Sequence, residues 1–238
     1  MPLTTTSTHA INYSVKISNR AKRARIEVSP LGQVKVVVPK RFNNQLIPSF
    51  VAKHQIWLEN VLKNTRHNDP TRHEPPERLE FKSLDEHWKI SYASTTSDPL
   101  IQVDGRTKHI QLNNTDSTYI NALTDWLQTY ARQHLTAMLI KKSIQLGLPF
   151  NNVRIKNQKT RWGSCSSKKN INLNRNLLFL NPELVDYLLL HELCHTVHLN
   201  HSKHYWQMVD SFLPNYLIYD KQLNSALQTI PAWALPDT

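Results

Sequence analysis

Residues 191–204 read HELCHTVHLNHSKH, with two histidines four apart, a glutamate beside the first, and three further histidines close behind. Five of the chain's 12 histidines fall in this short stretch. On an α-helix, residues four apart share one face. His191 and His195 can therefore reach a single metal ion while Glu192 is carried next to its open coordination position. That is a hydrolase site in outline, and the sequence around it decides whether the helix exists.

It does so clearly. Asn181 and Pro182 supply a helix cap and first turn for ELVDYLLLHELCHTVHL. The first half of that helix is nearly all apolar, so it should be buried. Histidines and a glutamate on a buried helix need partners to offset their desolvation, and a metal provides one. Rise per residue ranks the third ligand. A metal between His191 and His195 sits about 3 Å along the axis from each, whereas His198 lies roughly 7 Å further along, which suits capping or packing. His201 follows Asn200, a residue suited to a left-handed helix end, so the chain can turn back and present His201 from a new direction. His204, in the first turn of a helix started by Ser202, is the alternative if that turn is wider. Three neutral imidazoles plus water describe a tetrahedral catalytic zinc site holding one Zn2+. Glu192 is then the general base, taking a proton from the attacking water and passing it to the leaving amine. Cys194 points about 100° away around the helix and reads as a small buried residue.

Upstream, 152–157 and 170–179 read as strands around the loop KTRWGSCSSKK. Asp116 or Ser117 caps a long helix to about Leu146, with Ile120, Leu123, Leu127, Tyr130, Leu135 and Met138 on one stripe and Gly147 as its stop. Residues 78–112 hold four short strands, LEFK, WKISYA, LIQV and HIQL, with Asp104-Gly105 turning the last pair. The polar, proline-rich segment 64–77 reads as an exposed linker, with His67 and His73 as surface histidines. Residues 11–38 alternate as YSVKIS, ARIEV and VKVVV, with Pro30-Leu31-Gly32 between the last two, and read as antiparallel strands. Asn43 or Asn44 caps a following helix on which Ile47, Phe50, Val51, Trp57, Leu58 and Val61 keep helical spacing and Pro48 sits near the first turn. The organisation expected is a β-hairpin and helix region at 1–63, the linker at 64–77, and a metal-dependent hydrolase domain at 78–238.

Composition sets the outer bounds. The chain has 238 residues and is 39% hydrophobic, enough for a packed core. No run approaches the roughly 20 apolar residues of a membrane span, and the first residues lack an apolar signal core. With only Cys165 and Cys194 there is no disulfide framework. The expectation is a cytoplasmic protein. The formal charge of +11 favours phosphate-rich partners by general electrostatics. The cations are spread along the chain, however, and a solvated basic surface accounts for them. Arg20, Lys22, Arg23 and Arg25 form the densest cluster, alternate members of which would share a face on a strand.

Taken together, TRWGSCSSKKNINLN at 160–174, LLFLNPELVDYLLLHELCH at 177–195 and NHSKHYW at 200–206 resemble the YgjP-like metallopeptidases, distant relatives of the SprT-type proteases among the zincins. The N-terminal VKVVVPKRF and the helix bearing Trp57 join the likeness, which covers roughly 12–225. It implies an α+β fold with a zincin-like core around the HExxH helix and a β-rich N-terminal part. It also implies zinc on His191, His195 and His201, with Glu192 as base. In that pattern Arg161-Trp162-Gly163-Ser164-Cys165 lies close to the active helix, where a strand could pair with an extended peptide. Equally, Trp162 packs beneath the helix and Gly163 permits close approach. Where related sequences carry a basic residue and Phe, this chain has His204 and Tyr205, which makes them, with Arg161, candidate ligand, substrate or transition-state contacts. A zinc-dependent peptidase acting on a peptide or protein is the leading expectation. The alternatives are a phosphohydrolase acting on nucleoside triphosphates and a nucleic-acid-associated protease using the basic surface. Against the phosphohydrolase, there is no Gly-rich phosphate loop and the ligands are all imidazoles.

Overall fold

Alternating valines bury one face of a strand, and Val34, Val36 and Val38 do so at the centre of a three-stranded sheet. The computed structural model describes residues 11–28, 32–63, 76–93, 100–113 and 118–235. The chain divides into two units, Met1–Asp69 and Pro70–Thr238. The Asp116 or Ser117 cap, His67, His73 and most of the turn at 30–32 and the linker at 64–77 lie outside the described residues.

In the first unit, β1 (Tyr13–Ser18), β2 (Arg25–Val28) and β3 (Val34–Pro39) lie in the order β1-β3-β2. β2 and β3 form the expected antiparallel pair, but β1 runs parallel to β3, Val15 opposite Val36. Alternation dictates which face a side chain takes and says nothing of which strand lies beside it. Asn43 accepts a hydrogen bond from the backbone N–H of Gln45 and starts a 3-10 turn at Asn44–Leu46. The single helix expected after it is two, α1 (Ile47–Lys53) and α2 (Gln55–Lys63). They part at His54, whose φ of −106° and ψ of 12° leave the helical region and whose Nδ1 lies 2.8 Å from the Phe50 carbonyl. Ile47, Val51 and Leu58 pack on the valines, whereas Trp57 is 47% exposed. Residues 19–24 are turns and irregular backbone, so Arg20, Lys22, Arg23 and Arg25 do not alternate along a strand. Arg25 is paired with Glu27.

The second unit opens with β4 (Arg78–Phe81), β5 (Glu86–Tyr92), β6 (Ile101–Asp104) and β7 (His109–Leu112), ordered β4-β5-β7-β6. β6 and β7 are the expected hairpin, Asp104 accepting from the backbone N–H of Arg106 and the loop closing on Lys108 at φ 53°. The long helix α3 (Thr118–Leu146) buries Tyr119, Leu123, Leu127, Ala131, Leu135 and Leu139 at intervals of four. Tyr130 and Met138, expected on the stripe, flank it half-buried. Gly147 ends the helix at φ 66°, and the Leu148 N–H closes back on the Ser143 carbonyl.

A second sheet, β8 (Asn152–Lys156), β9 (Gly163–Cys165) and β10 (Asn170–Asn174), is ordered β8-β10-β9. Two expectations change here. GSC is a strand and not part of a loop, and the strand expected through residue 179 stops at Asn174. The Asn174 side chain accepts from the Asn176 N–H and turns Arg175–Phe179 into a buried 3-10 segment. Three helices follow: α4 (Pro182–Cys194), α5 (Lys203–Phe212) and α6 (Tyr216–Ser225). α4 packs against α3, α5, α6 and β9, which bury most of it beyond Glu183 and Asp186. The whole is a mixed α+β protein, and no helix among the described residues is long and apolar enough to cross a membrane.

Candidate active site

Pro182 at the first turn and five buried leucines carry α4 through the interior of the second unit. His191 and Glu192 lie in its last turn, and His195 is its C-cap. The chain then closes a tight turn, with the N–H groups of Thr196 and His198 bonded back to the Leu193 and Cys194 carbonyls. Asn200 is not left-handed, contrary to expectation; the reversal is made earlier, at 195–198, and still delivers His201 to the end of α4. Ser202 caps α5, accepting from the Tyr205 N–H.

One nitrogen from each of His191, His195 and His201 lies within 4.8 Å of the other two. The Nε2 atoms of His191 and His201 are 3.3 Å apart. Two nitrogens on a tetrahedral zinc, each about 2.0–2.1 Å from it, stand about 3.3–3.4 Å apart. The residues present therefore fit the ion. His195 has its Nδ1 2.9 Å from the His198 carbonyl, which places the ring proton there and leaves Nε2 a bare lone pair. Burial, with neighbouring His195 and His201, depresses the pKa of His191 to about 3, and burial lowers that of His195. Both rings are neutral, the state a metal takes.

Glu192 is 3% exposed, and its Oε2 has no hydrogen-bond partner among the described residues. Burial pushes its pKa up to about 8 against the opposing charge of Arg161. The carboxylate lies on Gly163 of β9. A methyl group built there would stand 2.7 and 2.8 Å from Cδ and Cγ of Glu192, so only glycine leaves room. The neighbouring Trp162 is buried and donates its ring N–H to the Leu223 carbonyl of α6. Cys165, at the other end of β9, is a half-buried thiol raised to about 11 by burial and by Glu192.

The remaining candidates are sorted by the same geometry. His204 is exposed, paired with the His198 ring at 6.4 Å, and outside the three-histidine group. Tyr205 is fully buried, stacks on His195 at 4.4 Å, and donates its hydroxyl to the His191 carbonyl. That hydroxyl holds the C-terminal end of α4. Arg161 is exposed and precedes β9. Cys194 is buried and outside the group. Three residues escaped sequence reasoning. Trp206 stacks on exposed His201 at 5.2 Å and on Tyr216 at 5.1 Å, bracing the ring. Tyr187 lies one turn before His191 and contacts it, and Asp220 reaches Tyr187 from α6. Only Tyr187 carried a signal, its spacing of four from a ligand. A separate groove of about 750 Å³ involves Arg78, Lys82, Lys89, Trp88 and Phe179 and includes no residue of α4 or α5.

A comparison with curated proteins gives no match. Among solved structures, the metallopeptidase zymogen abylysin of Pyrococcus abyssi is similar at 26% identity, covering 40% of this chain and 97% of that one, with a TM-score of 0.36. The likeness that spans the molecule is at the level of sequence. Residues 22–226, which include both sheets flanking the long helix as well as the histidine cluster, match the family described as YgjP-like, metallopeptidase domain. The chain belongs to the YgjP-like metallopeptidase family.

Proposed function

We propose that the protein is a zinc-dependent peptidase with a zincin-like core, in which His191, His195 and His201 hold the ion and Glu192 is the general base. The observation that carries this reading is the convergence of three imidazole nitrogens beside a buried carboxylate whose Oε2 has no hydrogen-bond partner among the described residues. When bound, zinc supplies Lewis acidity, acidifying a water and polarising the scissile carbonyl. Glu192 accepts the proton of that water and returns it to the leaving amine. Gly163 leaves the room in which the carboxylate lies against β9. β9 is an edge strand of its sheet, and a peptide added along it would lie beside Glu192. Exposed Arg161 stands at the entry to that strand and suits the peptide's carbonyl or carboxylate groups.

The test is product analysis by mass spectrometry, with zinc-loaded protein, a mixed peptide pool and nucleoside triphosphates in one incubation. Peptides should be cleaved by the wild type and left intact by Glu192→Gln, which still holds zinc. Glu192-dependent nucleotide hydrolysis with the peptides untouched would overturn the assignment. For the ligands, His201→Ala should lose the metal and His204→Ala should retain it.

A further inference from the structure

We propose that Asp220 and Tyr187 form a hydrogen-bonded chain that fixes the tautomer of His191 and so prepares it as a metal ligand. The inference rests on the reading of His191 as a ligand and adds two positioning residues to it. A histidine offers a metal one bare nitrogen only when its other nitrogen carries the ring proton, and that proton needs an acceptor. His191 turns Nε2 towards His201, so the proton belongs on Nδ1. Nδ1 lies 3.5 Å from the Tyr187 hydroxyl, a contact longer than a well-formed N–H···O bond of about 2.7–3.2 Å, with the two groups facing one another.

A tyrosine hydroxyl could equally donate to that nitrogen, which would leave the proton on Nε2 and block the ligand position. Asp220 removes the choice. Its Oδ1 lies 2.8 Å from the Tyr187 oxygen, and an ionised carboxylate only accepts. Tyr187 therefore spends its one proton on Asp220 and presents lone pairs to His191. Direction propagates: Asp220 accepts, Tyr187 donates to it and accepts from Nδ1–H, and Nε2 is bare. The Tyr187 ring is fully buried and stacked on Tyr219, so its hydroxyl has no freedom to seek other partners. His195 obtains the same result from a backbone carbonyl, its Nδ1 facing His198. His195 and His191 thus each have their own acceptor, one from the main chain and one, Tyr187, oriented by Asp220 of α6.

Zinc affinity, measured by competition with a chromophoric chelator, tests this apart from catalysis. Tyr187→Phe and Asp220→Ala should each weaken zinc binding roughly ten- to a hundredfold, the usual effect of removing such a partner. Because Asp220 acts through Tyr187, adding Asp220→Ala to Tyr187→Phe should weaken binding no further. Nitrogen-15 spectra of the metal-free protein should show His191 protonated on Nδ1 in the wild type and mixed between tautomers in Tyr187→Phe. Melting of the metal-free variants separates these effects from misfolding. Affinity within threefold of wild type for Tyr187→Phe, an undiminished effect of Asp220→Ala in the Tyr187→Phe background, or a tautomer unchanged by Tyr187→Phe would each overturn the proposal. Wild type that binds no zinc, or His191→Ala that binds it fully, would instead remove the ligand reading on which it stands.

Discussion

Gly163 makes the sharpest demand that any single position places on this molecule. Its absent side chain is filled by Glu192, and a methyl group would lie 2.7 Å from the carboxyl carbon of a buried, tightly packed neighbour. Gly163→Ala should therefore keep zinc and lose peptide cleavage by about a hundredfold or more, since a displacement near 1 Å is enough for that loss. Zinc stoichiometry and initial rates on one peptide decide it, and normal turnover would mean the carboxylate can shift without consequence. At this scale the sequence was informative wherever chemistry repeats along one helix. His191, Glu192 and His195 were legible because a four-residue spacing is itself geometry. His201 was legible as a residue and not as a path, because the reversal is made at 195–198 and Asn200 takes no left-handed turn. The direction of the Tyr205 hydroxyl was not legible, because it depends on how α5 crosses α4, a tertiary fact that brings it to the His191 carbonyl.

Elements carry the next level of order, and their junctions are where sequence patterns fall short. The long α3 helix and its stop were legible from spacing and from Gly147. That glycine sits at φ 66° with open space around it, so alanine there meets strain without a clash. Gly147→Ala should cost about 1–2 kcal/mol, the penalty of a left-handed alanine, visible as a lower urea midpoint with unchanged zinc binding. The strand expected through residue 179 failed because one side-chain cap, Asn174, outweighs the β-propensity of Leu-Leu-Phe. The union of β5, the β6–β7 loop and α3 was invisible in the sequence. It is made by Glu86, which accepts from Lys108 at 2.6 Å, Tyr130 at 2.5 Å and Trp88 at 3.0 Å. Burial raises the Glu86 pKa, but those hydrogen bonds more than offset it, and the carboxyl ends below its ordinary 4.5. A carboxylate held low in the folded state stabilises at pH above its unfolded value and loses that contribution as pH falls through the folded one. Glu86→Gln should thus cost about 1–3 kcal/mol at neutral pH, the range for hydrogen bonds to a charged group. The gap to wild type should close as the pH is taken well below 4.5. Urea titrations at both pH values measure it, and a gap independent of pH would show that shape, not charge, makes this junction.

At the scale of the whole molecule, metal binding and folding become one measurement. All three histidines belong to the unit Pro70–Thr238, two of them at the end of α4 and the third before α5. A ligand that binds only the folded form stabilises it by about 2.7 kcal/mol at a hundred times its Kd. For a unit of this size each kcal/mol moves the midpoint by about 2–4 °C, so removing zinc should lower it by roughly 5–10 °C. Tryptophan fluorescence can report this selectively. Five of the six tryptophans, at 88, 126, 162, 206 and 233, lie in this unit, and Trp57 alone lies in the other. Trp57→Phe removes that signal at an exposed position, so the remaining emission follows the unit that holds the site. In that background chelation should shift the fluorescence midpoint downward, and zinc should restore it. His191→Ala and His195→Ala should begin at the lower midpoint and ignore both treatments. A midpoint that zinc moves equally in the histidine variants would place its binding elsewhere on this strongly basic chain. A shift confined to the protein with all three histidines intact would tie the stability of the second unit to the same atoms that are assigned its chemistry.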